Sequence, residues 1–192
     1  MARTPTVQLE LGYKAPDFLL TDVANDKLLS YSDIKGKNAT VVMFICNHCP
    51  FVVHVMAELV RIGNDFKDQG VGLVAISSND VANYPEDSPQ KMKQLAQQEK
   101  FPFPYLYDET QNVAKAYFAA CTPDFSVFDT NETCVYRGQL DDSRPGNSEP
   151  VNGKDLRNVL DQMLSEQPVP THQKPSIGCN IKWKEGNRPD YL

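Results

Sequence analysis

Apolar and polar positions along this chain fall into two periods, and the strongest runs lie near its centre. Residues 39–46, "ATVVMFIC", are almost continuously apolar and rich in β-branched side chains, the pattern of a central strand buried on both faces. Residues 71–78, "VGLVAISS", read as a second strand of the same kind. Between them, over residues 50–67, Phe51, Val52, Val55, Leu59, Ile62 and Phe66 recur at helical spacing, with Glu58, Arg61 and Asp65 on the other side. Pro50 suits a first helical position, where no intrahelical N–H is needed, and Gly70 follows near the end.

Weaker signals flank this centre. Residues 14–38 read as short strands with turns: Asn25-Asp26 is a hairpin-type turn, and "YSDIKGK" a helical turn closed by Gly36. "NDVANYPEDSP" is a polar loop. Residues 88–100 predict a helix with Ser88 as N-cap and Pro89 at its first position. "FPFPYLYDE" holds a short strand, and residues 110–119 a helix capped by Thr110. "FSVFDT" and "TCVYRGQ" predict strands joined across Asn131-Glu132, and residues 152–166 an amphipathic helix. Pro168, Pro170, Pro175 and Pro189 mark residues 167–192 as an extended tail packed on a core of about residues 10–166. Strands alternating with helices, then a hairpin and a helix, predict one α/β sandwich domain over residues 1–192, with an N-terminal hairpin extension.

Composition narrows the class. At 41% hydrophobic and 23% charged residues, the chain has the make-up of a soluble globular protein. A net charge of −6 with no basic run argues against a nucleic-acid partner. The longest apolar runs fall far short of the ~20 residues that span a membrane. "MARTPTVQLELGYKAPDF" has no apolar signal region, so the expectation is a cytoplasmic protein without a membrane partner. The pattern carries no expectation about oligomeric state.

The chemistry gathers in "FICNHCPFVVHV". The chain has five cysteines, and an odd number without a secretion signal does not suit a disulfide framework. Cys46 closes the predicted strand and Cys49 opens the predicted helix, whose N-terminus stabilises a thiolate. Cys46, first in sequence and expected to be the more exposed, is the expected nucleophile. Cys49, one turn on, is expected to close an intramolecular disulfide, and His48 to tune the thiolate. A zinc site is the competing reading, but zinc asks for four ligands at fixed spacing and the sequence offers no second C-x-x-C or H-x-x-x-H. The expectation is therefore no metal and no cofactor. His54 reads as a packing or surface imidazole and Cys134 as core. Cys121 is a possible accessory thiol. Cys179 is another, provided that the tail folds over the site. Arg144, with Asp141 and Asp142, forms a charged turn, read as solvated or else as a polar wall beside the site. Trp183 is expected to anchor the tail.

Strand, cysteine pair and helix in this order resemble the thioredoxin fold. That resemblance implies a cis proline facing the cysteines; Pro123 would fill the place, with the Thr122 backbone binding an extended substrate. The opening "GYKAPDFLLTD", together with "CNHCPFV", "YRGQLDDSRPG" and "KPSIGCNIKWK", resembles a peroxiredoxin-like, AhpC/TSA-related branch. The peroxide-pocket motif P-x-x-x-T/S-x-x-C is not met. Counting back from Cys46 gives Met43 and Ala39, and from Cys49 gives Cys46 and Val42. The resemblance thus implies a thiol–disulfide oxidoreductase in which Cys46 attacks a protein or small-molecule disulfide, Cys49 resolves, and a thiol reductant restores the pair. The alternatives are a thiol peroxidase at Cys46 and a non-catalytic binding module.

Overall fold

The computed structural model describes residues 3–192. Along the chain run β1 (Arg3–Pro5), β2 (Leu19–Asp22), β3 (Leu28–Ser30), α1 (Tyr31–Ile34), β4 (Ala39–Phe44) and α2 (Pro50–Phe66). There follow β5 (Val71–Ser77), α3 (Pro89–Gln98), β6 (Tyr105–Tyr107), α4 (Asn112–Ala116), β7 (Cys121–Thr122) and β8 (Asp124–Phe128). The chain ends with β9 (Cys134–Gly138), α5 (Lys154–Leu164) and β10 (Ile177–Asn180).

A seven-stranded mixed sheet in the order β3-β2-β6-β5-β4-β8-β9 forms the centre. The β4–β5 and β5–β6 pairs are parallel, and β4–β8, β8–β9, β2–β3 and β2–β6 are antiparallel. All six residues of β4 are buried, as its continuous apolar run requires. Successive side chains leave a strand on opposite faces, so β4 feeds two cores. Val41 and Met43 join the α2 residues Val52, Val55, Leu59, Ile62 and Phe66, and Leu156, Val159 and Leu160 of α5. Val42 and Phe44 join Tyr31 and Tyr117 on the other face. The fold is a thioredoxin-like α/β sandwich, with β2 and β3 as the expected N-terminal hairpin.

Several local expectations are corrected. β4 ends at Phe44, two residues early, although the Ile45 N–H still bonds the Ile76 carbonyl at 3.0 Å. The helix expected over residues 110–119 shrinks to Asn112–Ala116, and its N-cap is Gln111 in a left-handed conformation rather than Thr110. Asp141 is not solvated: it is 1% exposed and accepts hydrogen bonds from the Asn152 and Gly153 N–H groups at 2.8 and 2.7 Å, just ahead of α5.

The tail is packed on the domain and is more ordered than its prolines suggest. It carries β10, which forms a second sheet in the order β1-β10-β7. Beneath that sheet, buried Asp124 and Arg137 form an ion pair at 3.6 Å. Asp124 accepts from Thr6 Oγ1 at 3.0 Å, while Arg137 donates to the Val7 and Phe118 carbonyls at 2.9 and 2.7 Å. Among the described residues, no helix is long and apolar enough to cross a membrane.

Candidate active site

The parallel pair β4–β5 sets the site, because adjacent parallel strands deliver their following loops to one end of a sheet. After β4 the chain runs through Cys46, Asn47 and His48 to Cys49, the N-cap of α2. Pro50 takes the first helical position, and the Cys49 carbonyl accepts from the Val52 and Val53 N–H groups at 3.0 and 2.9 Å. The loop after β5 contributes a short 3-10 turn over Pro85–Asp87.

Asp87 organises the cysteine loop. It is fully buried; Oδ1 accepts from the Asn47 N–H at 2.7 Å and the His48 N–H at 3.3 Å, and Oδ2 accepts from Asn79 Nδ2 at 2.7 Å. His48 Nδ1 lies 2.7 Å from Asp87 Oδ2, a close contact without a hydrogen bond's alignment. The imidazole stacks on Tyr84, with ring centroids 5.6 Å apart and planes within 5°. Tyr105 donates from its hydroxyl to Asn47 Oδ1 at 3.1 Å, bracing the loop from below.

Thr122 meets both thiols. Its Oγ1 is 3.5 Å from Cys46 Sγ, and its carbonyl accepts from the Cys49 thiol at 3.1 Å. The Thr122–Pro123 peptide is cis, as the resemblance implied. Both thiols are covered: Cys46 is 1% exposed and Cys49 0%, so the expectation of an exposed Cys46 is corrected.

The electrostatics make Cys49, not Cys46, the more acidic of the two sulfurs. Cys49 is held well below the ordinary thiol range, at about 4, first by the hydrogen bond from Cys46 and then, against burial, by Thr122, Cys179 and the Val52 N–H. Cys46 is pushed well up, by its hydrogen bond to Cys49, by burial and by the Asp87 charge. The physical reason is where the helix begins. Its free amides face the N-cap residue, which is Cys49, while Cys46 sits three residues earlier beside a buried carboxylate.

The other singled-out residues divide. Cys179 is brought to the site: it lies opposite Thr122 in the β10–β7 pairing, and its thiol hydrogen-bonds Cys49. Cys121 is buried, with Sγ 3.6 Å from the Pro123 carbonyl and its acidity suppressed chiefly by burial. Arg144 lines a small cavity with Pro123, Phe51 and Ile177. Its guanidinium is spent on the Asp141 and Ser143 carbonyls and on Gln139 Oε1, not on a thiol. Cys134 is core, and His54 Nε2 is 2.8 Å from Ser143 Oγ. Trp183 packs against the second core. Cys46 Sγ, His48 Nδ1 and an Asp87 carboxylate oxygen lie within 4.8 Å of one another, a three-donor set of the type a divalent metal uses. Asp87, Tyr84, Tyr105 and Asn47 are the site residues that pattern reading missed.

The AhpC/TSA family model matches residues 11–137. No curated protein matches the chain. An uncharacterised conserved protein from Geobacillus kaustophilus is similar over 96% of this chain and 97% of its own, with 58% identity and a TM-score of 0.94. The hypothetical protein SMc02350 from Sinorhizobium meliloti 1021 is 44% identical over 95% of this chain and 100% of its own, with a TM-score of 0.93. A thioredoxin-family thiol:disulfide interchange protein from Chlorobium tepidum TLS shares the fold. It is 17% identical over 82% of this chain and 99% of its own, with a TM-score of 0.61.

Proposed function

The chain belongs to the AhpC/TSA family, and from that membership and the geometry of its thiols we propose that it is a thiol–disulfide oxidoreductase using Cys46 and Cys49. The observation that carries the reading is the pair itself at the start of α2, with Thr122 against both sulfurs: its Oγ1 lies 3.5 Å from Cys46 Sγ and its carbonyl accepts from the Cys49 thiol at 3.1 Å.

The Cys49 thiolate attacks one sulfur of a substrate disulfide. A Cys49–substrate bond forms, the substrate S–S bond breaks, and the departing thiolate takes up a proton. Cys46 then gives up its proton and attacks Cys49 Sγ, forming Cys46–Cys49 and releasing the second substrate thiol. Two electrons have passed from the pair to the substrate, and a thiol reductant returns them by the same exchange in reverse. Asp87 serves the first step by keeping the resting proton on Cys46, since a second negative charge beside it is unfavourable. His48, held against Asp87 and Tyr84, is a positioning residue for the loop. Protein or small-molecule disulfides and a thiol reductant are the proposed partners.

Trapping tests the reading. Because Cys179 also touches Cys49, the double variant Cys46→Ser/Cys179→Ser is used. It is expected to hold a mixed disulfide on Cys49 after incubation with a disulfide substrate, seen as added mass on that peptide. Added mass on Cys46 in Cys49→Ser, and none on Cys49 in the double variant, would restore the roles expected from sequence.

A thiolate in this setting is also competent to break a peroxide O–O bond, giving a sulfenic acid and water, and the family match favours testing it. Saturable hydrogen peroxide turnover that disappears in Cys49→Ser supports this second reading. Turnover no faster than that of free cysteine removes it.

A further inference from the structure

The tail crosses the thiols as a strand. β10 pairs antiparallel with β7, placing Cys179 opposite Thr122 and Asn180 opposite Cys121, while β1 takes its other edge. Directly opposed residues on paired strands project to the same face. Thr122 Oγ1 is already against Cys46 Sγ, so the Cys179 side chain faces the same pair, and its thiol hydrogen-bonds Cys49. Three sulfurs therefore meet with Cys49 in the middle.

The strand is fixed to the groups that build the site. A Cβ on Gly178 would stand 1.9 Å from the Thr122 carbonyl oxygen and 3.2 Å from the Pro123 nitrogen, so only glycine admits this approach. Ser176 Oγ donates to the Pro123 carbonyl at 2.7 Å. Lys182 N–H donates to Asn79 Oδ1 at 2.9 Å, and Lys182 Nζ sits 5.6 Å from the centre of the Tyr84 ring that stacks on His48.

We propose that Cys179 is a third redox thiol and β10 the latch that presents it, so that a Cys46–Cys49 disulfide exchanges internally to Cys49–Cys179. The proposal rests on the dithiol reading above. Deprotonated Cys179 attacks Cys49 Sγ; the Cys49–Cys179 bond forms and the Cys46–Cys49 bond breaks. Cys46 leaves as a thiolate and takes the proton that Cys179 gave up. One disulfide replaces another, and no oxidant is needed beyond the one that oxidised the pair.

Burial, with the Cys49 sulfur second, pushes the Cys179 thiol up to about 12, so in the reduced protein it acts as a hydrogen-bond donor. Oxidation of the pair removes the Cys49 charge and with it one of the groups holding that proton. The consequence is regulatory. An exposed strand edge beside the thiols would accept an extended partner chain by backbone pairing, and β10 already takes that edge of β7. A Cys49–Cys179 bond ties the edge shut, and reduction releases it.

The test is disulfide mapping of the full-length protein after limited diamide oxidation, acid quenching and alkylation. Wild type is expected to show Cys46–Cys49 first, then Cys49–Cys179 with Cys46 alkylated. Cys46→Ser is expected to form Cys49–Cys179 within one chain. Gly178→Val, which pushes β10 off Thr122, is expected to keep Cys46–Cys49 and lose Cys49–Cys179 to background. If Cys46→Ser yields only reduced monomer or cross-linked chains while wild type makes Cys46–Cys49, the latch is overturned and the dithiol reading stands. If wild type makes no Cys46–Cys49, the dithiol reading fails and the exchange step falls with it.

Discussion

Cys49→Ser loses disulfide exchange by at least about a thousandfold, within the range found when a catalytic nucleophile is removed. Stopped-flow cleavage of a small aromatic disulfide reads the rate directly. Cys46→Ser keeps the first, mixed-disulfide step and is slowed in the release of product. The pH profile separates the two cysteines further. A Cys49 thiolate held at about 4 is fully formed at neutral pH, so the wild-type first step stays level from about pH 6 to 8. It falls only as the solution is acidified toward pH 4, because there the thiolate takes a proton and stops attacking. Cys46→Ala removes the largest donor to that thiolate, and its profile moves toward higher pH. A wild-type rate that climbs throughout from pH 6 to 9, as for an ordinary thiol, would show that Cys49 carries no resting charge.

Asp87→Ala is expected to cost about 3–5 kcal/mol of stability, because it leaves buried hydrogen-bond donors without their acceptor. The Asn47 and His48 N–H groups and Asn79 Nδ2 all end on that carboxylate, and no water-facing surface lies at Asp87 to take its place. For a chain of this size the loss corresponds to roughly 10 °C in Tm. Asp87→Asn keeps one carbonyl oxygen of the same shape and is expected to recover part of the loss. It also removes a negative charge from beside Cys46, so the Cys46 thiol becomes more acidic and competes with Cys49 for the resting charge. Urea unfolding checks the first effect, and thiolate absorbance near 240 nm in the Cys49→Ser background checks the second. A loss below about 1 kcal/mol in Asp87→Ala would mean that the loop holds its shape without this carboxylate.

The central strands and the long helix were legible because burial on two faces leaves β-branched runs, and burial on one face leaves a 3.6-residue period. Residues 39–44 and 50–66 carry both marks. The cysteine pair was legible as a site for the same reason: it falls where one period gives way to the other. Pattern placed the helix start at Pro50, as found; what it could not place was the buried surroundings of the two thiols, Thr122 against both and the Asp87 carboxylate beside Cys46. Asp87 was hidden because a carboxylate in a polar loop looks the same in sequence whether it faces water or receives three N–H donors. β10 was hidden because it contains a glycine and follows a stretch with Pro168, Pro170 and Pro175. It pairs with a two-residue strand that no local pattern announces. The role of Cys179 depends on that pairing, which joins residues 57 positions apart.

The central claim is that Cys46 and Cys49 form a reversible redox couple. The most direct measurement is equilibration of the wild-type protein in graded glutathione buffers, followed by alkylation and mass mapping of the pair. A stabilised Cys49 thiolate favours the reduced state, so the account predicts a two-electron couple at a potential above the ~−270 mV of thioredoxin. A pair that stays alkylatable in the most oxidising buffer, with both thiols intact, would contradict it.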